Sequence, residues 1–183
     1  MADSETKMNR QMPVVAAETQ LAGAGQYLTF VLSGELYALG ILNIKEIIDY
    51  GHLTDVPMMP AFVRGIINLR GRVVPVIDMV ARFGKGCTEI AKRTCIVIVE
   101  VNENREGQHD IGIIVDAVNE VVEINQQDIE PPPNFGSGIR QDFINGMAKR
   151  NDRFIILLNV SKVLSMDEMS VLSKVAANNL DAG

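Results

Sequence analysis

Residues Pro60 to Met79 read PAFVRGIINLRGRVVPVIDM: an apolar strand, a tight turn carrying arginine, and a second apolar strand in one short stretch. The turn falls at Leu69-Arg70-Gly71-Arg72, where Gly71 can take the positive φ that a tight hairpin needs. Such a turn pushes Arg70 out from the sheet. A guanidinium is a flat fork of donors, suited to a carboxylate or to the terminal carbonyls of a helix. A tip that presents charge but no catalytic group marks a docking surface. The other use of the same arginine is an internal pair with a carboxylate such as Glu46, which at an exposed site contributes only ~0–1 kcal/mol.

Strand signals extend on both sides. Tyr27 to Leu32, the turn pair Ser33-Gly34 and Leu36 to Ile41 predict a hairpin, and Ile44 to Tyr50 continues it. Pro57 and Pro60 break regular structure, and Ala61 to Gly65 reads as a helical turn. Ile66 to Leu69 and Val73 to Ile77 follow as strands. Pro75 lies inside the second, which assigns it to an edge or a bulge.

The second half repeats this plan. Cys95 to Val101 and Ile111 to Val115 predict a hairpin around a polar loop, Asn102 to Asp110. Leu39 to Asp49 lies over Ile113 to Glu123, so that Ile44 meets Val118 and Glu46 meets Glu120. Prolines and a phenylalanine follow each: Pro57, Pro60 and Phe62, then Pro131 to Pro133 and Phe135. Arg72 to Met79 lies over Arg153 to Val160. A duplicated unit of five short strands predicts a mainly β fold of two small barrels, of SH3 or OB type, with a groove between them.

The expected boundaries are a flexible tail over 1–25, a first barrel over 26–88, a second over 89–164, and a C-terminal helix and tail over 165–183. The last begins at a capping box, Ser165 to Glu168, with Met169, Leu172 and Ala176 on one face.

Composition removes several functions. Seventeen basic against 23 acidic side chains leave a net charge of −6, and aromatics are only 5%, both unfavourable to a nucleic-acid-binding barrel. The N-terminus has no signal-peptide core, and apolar runs fall far short of a membrane span. A soluble cytoplasmic protein is expected. Cys87 and Cys95 are not spaced as a metal or redox pair, and His52 and His109 do not complete a ligand set. Neither a phosphate loop nor a nucleophile elbow is present. No enzyme, metal or cofactor is expected.

Ile41, Ile44 and Ile47, with Lys45 and Glu46 interleaved, form a second candidate surface. On a regular strand Ile44 and Glu46 share one face, which suits an apolar helix with a charged rim.

PAFVRGIINLRGRVVPVIDM, preceded by ILNIKEI and followed by GIIVDAVNEVVEI and FINGMAKRNDRFIILLNV, resembles the CheW family, the coupling proteins of bacterial chemotaxis. The resemblance covers about residues 26–172. It implies two five-stranded SH3-like barrels, with strands exchanged at their junction. It also implies a non-enzymatic adaptor between the cytoplasmic tip of chemoreceptors and the CheW-like regulatory domain of the histidine kinase CheA. Recruitment from the cytoplasm to membrane-associated receptor arrays is implied as well; since nothing in the sequence marks a dimer face, the isolated protein is expected to be a monomer. Receptor coupling maps by resemblance to Ile44, Glu46, Arg64, Gly65 and Arg70, with Ile41 added by proximity. Kinase docking maps to the barrel ends, here Val115 and Val118 in the second barrel. An adaptor of a different chemosensory pathway, serving pili or gene regulation, fits the same residues.

Overall fold

A computed structural model of the chain describes residues 25–103, 107–132 and 143–162. The expected N-terminal tail up to residue 24, Phe135 and the C-terminal helix from Ser165 lie outside these residues.

Eleven strands carry the described chain: β1 (Gln26–Leu32), β2 (Glu35–Gly40), β3 (Ile44–Asp49), β4 (Val63–Leu69), β5 (Arg72–Asp78), β6 (Cys95–Glu103), β7 (Gly107–Val115), β8 (Ala117–Glu123), β9 (Ile129–Glu130), β10 (Ile144–Arg150) and β11 (Arg153–Leu158). One α-helical turn, α1 (Met79–Arg82), follows β5. The fold is mainly β, as the sequence indicates. One sheet runs β3-β6-β7-β5-β4, and the other runs β8-β1-β2-β11-β10-β9.

The two orders are the same order. When β3, β4, β5, β6 and β7 are matched to β8, β10, β11, β1 and β2, the first sheet becomes the second, apart from the two-residue β9. The parallel pairs match as well. Val76 faces Gly112 in one sheet, and Leu157 faces Ala38 in the other. Each sheet therefore takes its first hairpin from one half of the chain and its remaining strands from the other, so neither is drawn from one side of residue 88. The sixth strand arises where Ile129–Glu130 pairs with β10, while its counterpart beside β4 is a single bridge from Thr54 to Ile66.

Period-two alternation sorts the side chains into three cores. Leu53, Val74, Val76, Ile96, Ile98 and Ile114 fill the interior of the first sheet. Leu36, Ala38, Val122, Ala148, Ile155 and Leu157 fill the second. The opposite faces meet in the largest cluster, which includes Phe30, Leu39, Ile77, Val97, Val99, Ile111, Ile113 and Ile156. Phe30, Tyr37, Phe83 and Phe143 stack through it at centroid spacings of 6.3, 5.9 and 6.1 Å.

Three local readings change. Ala61 to Gly65 is not a helical turn: β4 begins at Val63, and a bulge between Val63 and Gly65 absorbs the irregularity. Gly65 has φ +155°, and a Cβ there would lie 2.6 Å from the Thr54 carbonyl oxygen, so this crossing needs glycine. Gly146 repeats it in β10, where a Cβ would lie 2.8 Å from the Glu130 oxygen. Pro75 is tolerated in an interior strand because β5 joins β7 only from Val76 onward. The polar loop expected over Asn102 to Asp110 is largely strand, since β6 and β7 stay paired out to Glu103 and Gly107.

Candidate docking site

The turn between β4 and β5 has two central residues, Arg70 at φ +52° and Gly71 at φ +81°. Both left-handed values are those of a type I′ hairpin, whose twist matches the flanking strands. Asn68 fixes the turn by accepting the Gly71 amide at 3.0 Å. Arg70 is therefore held clear of the sheet, with 83% of its side chain exposed. Its Nη2 donates to Glu46 Oε2 on β3 at 3.2 Å.

Beneath this pair lies a charge cluster that the sequence reading missed. Asp110 on β7, with 9% side-chain exposure, lies 3.0 Å from Lys45 Nζ through Oδ1. Its Oδ2 lies 3.2 Å from Arg72 Nη1. Lys45 also approaches Glu100 at 3.6 Å. Asp110 is on the same face as Gly112 and Ile114, Glu100 as Ile98, and Arg72 as Val74. All three therefore face the interior of the first sheet and close its end. The alternation of Asp110 with the apolar run after it was the available signal, hidden by assigning the segment to a loop.

The remaining candidates sit elsewhere. Arg64 lies at the far end of β4 from Arg70, roughly 20 Å away at strand rise. It turns inward: Nη2 donates to the Thr88 carbonyl at 2.8 Å, and Nε lies 3.6 Å from Asp78. Asp78 is fully buried, caps α1 through the Val80 and Ala81 amides, and accepts both the amide and hydroxyl of Thr88. Arg64 and Gly65 thus hold the loop after α1 and the β4 bulge, respectively.

Ile41 sits in a single 3₁₀ turn, Ile41–Asn43, and half-buried Ile44 opens β3. Both pack on the core between the sheets. A bulge between Ile44 and Glu46 breaks the alternation, so the two do not share a face. Ile44 goes to the shared core, whereas Ile48 packs on the interior of the first sheet. Beside the 3₁₀ turn lies a cavity of about 550 Å³, lined by Tyr27, Leu42, Asn43, Ile129 and Leu157 among others.

Val115 lies on β7 of the first sheet, not in the second barrel with Val118, and has no exposed surface; Val118 on β8 is half-buried against the shared core. Val121, further along β8, is exposed. Cys87 and Cys95 are free thiols, and burial, followed by the nearby Asp49 carboxylate, pushes the Cys95 thiol up. Among the described residues, no group of three or more His, Cys, Asp or Glu could hold a metal ion, and no helix is long and apolar enough to cross a membrane.

A family model described as CheW-like domain matches residues 26–168. The chain is 32% identical over 171 residues to the chemotaxis protein CheW of Klebsiella aerogenes, covering 92% of this chain and 100% of that one. It is 34% identical over 142 residues to the chemotaxis protein CheW of Helicobacter pylori, covering 78% and 82%. Protein FrzA of Myxococcus xanthus is 32% identical over 123 residues, covering 67% and 74%. Among solved structures, the scaffolding protein TtCheW from Thermoanaerobacter tengcongensis superposes with a TM-score of 0.70 at 38% identity, covering 79% of this chain and 90% of that one. With its family match spanning the duplicated fold and the Arg70 hairpin, the chain belongs to the CheW-like family.

Proposed function

We propose that the protein is an adaptor of bacterial chemotaxis, coupling the cytoplasmic tip of chemoreceptors to the regulatory domain of the histidine kinase CheA. The observation that carries the receptor face is the contrast between two equivalent turns. Arg70-Gly71 and Asn151-Asp152 occupy matching places in the two sheets, and all four residues have positive φ. Asn and Asp tolerate that conformation well, while a long side chain there costs on the order of 1 kcal/mol. The fold thus works with Asn-Asp, so an exposed arginine in this conformation serves something other than folding.

In this reading Arg70 and Glu46 present the charged part of the receptor face, and Ile41 and Ile44 support the adjoining apolar surface. Arg64 and Gly65 act indirectly, by fixing the geometry of β4 and the loop after α1. The kinase face lies at the end of the second sheet, with Val118 contributing from edge strand β8 and Val115 supporting it from beneath. The protein carries out no chemistry, works as a monomer, and reaches the membrane through its partners.

Co-sedimentation of CheA with receptor-containing membranes tests this directly. CheA should pellet when the protein is present and stay in solution without it; equal pelleting in both cases would refute the adaptor reading. An adaptor of a different chemosensory pathway is the second reading, which the same fold and the same residues fit. Recovery of receptors and kinase from one non-chemotactic pathway alone would select it.

A further inference from the structure

The duplication supplies an internal control for the charge cluster beneath Arg70. Glu100 and Asp110 face each other across β6 and β7. In the other sheet the matching pair is Val31 and Leu36, across β1 and β2. Leu36 is buried in the interior cluster, and Val31 packs against it. One sheet end is therefore sealed by aliphatic side chains, and the other, in the same backbone, by Asp110 between Lys45 and Arg72.

Stability does not explain the difference. Replacing largely buried ions by well-packed apolar residues is often neutral or stabilising. What the ions add is placement. Asp110 ties down Lys45 and Arg72, and these residues flank Glu46 and Arg70 in the chain. With both cations anchored, Glu46 is left to Arg70. The outermost layer is then cationic, with Arg70 83% and Arg72 56% exposed, while Glu46, Glu100 and Asp110 lie lower at 27%, 25% and 9%.

We propose that Asp110 is a positioning residue for the Arg70 tip. It converts the end of the first sheet into an ordered cationic surface for a carboxylate-bearing partner segment. The inference rests on assigning the receptor face to Arg70, and identifies acidic side chains as what that face takes.

The test uses the full chain with Glu100→Val/Asp110→Leu, which copies the apolar seal of the other sheet, and with isosteric Asp110→Asn. Three quantities are measured: thermal midpoint, binding to CheA, and binding to receptor-containing membranes. Arg70 side-chain order is followed in parallel by NMR of its Nε–H group. Both variants should keep their midpoint and CheA binding, lose order at the Arg70 Nε–H, and bind receptors about fivefold more weakly, the scale of freeing one or two long side chains. Asp110→Glu should restore most of the binding. Unchanged Arg70 order with unchanged receptor binding overturns the proposal. So does loss of midpoint and CheA binding together, which would mark a structural role. If Arg70→Glu itself binds receptors normally, the receptor face has been misassigned and the positioning role falls with it. If only the Asp110 variants bind normally, the face stands and Asp110 does not serve it.

Discussion

Arg70 Nη2 and Glu46 Oε2 lie 3.2 Å apart and tie the tip of the β4–β5 hairpin to edge strand β3. The pair closes the gap between the outer strands of a sheet whose order is β3-β6-β7-β5-β4. With 83% of Arg70 exposed, its contribution to stability is ~0–1 kcal/mol. Its value lies in where it holds the guanidinium.

Arg70→Glu should therefore leave the urea midpoint nearly unchanged, with a stability loss within about 1 kcal/mol. Receptor binding should fall by about tenfold or more, because the outer charge changes sign. CheA binding should not move. The swap Glu46→Arg/Arg70→Glu re-forms an internal pair but keeps an acidic tip, so it should remain defective on receptors. Full recovery in the swap would show that the internal link, not the tip, is what matters.

Gly65→Ala and Gly146→Ala should destabilise by about 1–3 kcal/mol each, measured by equilibrium unfolding. A methyl group at either position would lie under 3 Å from a backbone oxygen, Thr54 or Glu130. Gly71→Ala is the control, since a Cβ there meets nothing within 4 Å. It should cost less, through its φ of +81° alone. Equal losses at all three positions would contradict the close-approach argument.

Asp78→Ala should be among the most damaging single changes, at about 3–5 kcal/mol. It uncaps α1 and removes the carboxylate that fixes Thr88 and faces Arg64. Arg64→Ala should cost less, because its guanidinium is partly exposed and Asp78 keeps its Thr88 and α1 partners. Calorimetry ranks the two, and a larger loss for Arg64→Ala would reverse this assignment.

Tyr37 gives a pH dependence with a defined sign. Burial, reinforced by Glu35, pushes its hydroxyl from 10.0 up to about 12. Between these values the unfolded chain has released the proton and the folded chain retains it. This contribution is therefore full below pH 10 and lost as pH rises towards 12. Tyr37→Phe should unfold less steeply over that interval than the parent protein. Parallel profiles would show that Tyr37 is not the group responsible.

Strand identity, the duplication and the Arg70 turn could be read from the chain because each depends on local pattern: period-two burial, paired turn residues and a matching order of segments. Exchange of strands at the junction came only from the family resemblance, since alternation says which face a strand buries but not which sheet receives it. Ile44 and Glu46 were placed on one face because a bulge adds a residue without any change in composition. Arg64 entered the receptor-coupling set by resemblance alone, because its partners, Asp78 and the Thr88 carbonyl, are distant in sequence. Asp110 was overlooked for the same reason. Its role depends on Lys45 and Arg72, which only the closed sheet brings together.

The most direct measurement is CheA autophosphorylation in the presence of receptor-containing membranes, with and without this protein, and with Arg70→Glu in its place. The expected result is strong stimulation that attractant suppresses, and little stimulation by the folded variant. No stimulation by the parent protein, with competent kinase and receptors present, would contradict the coupling role.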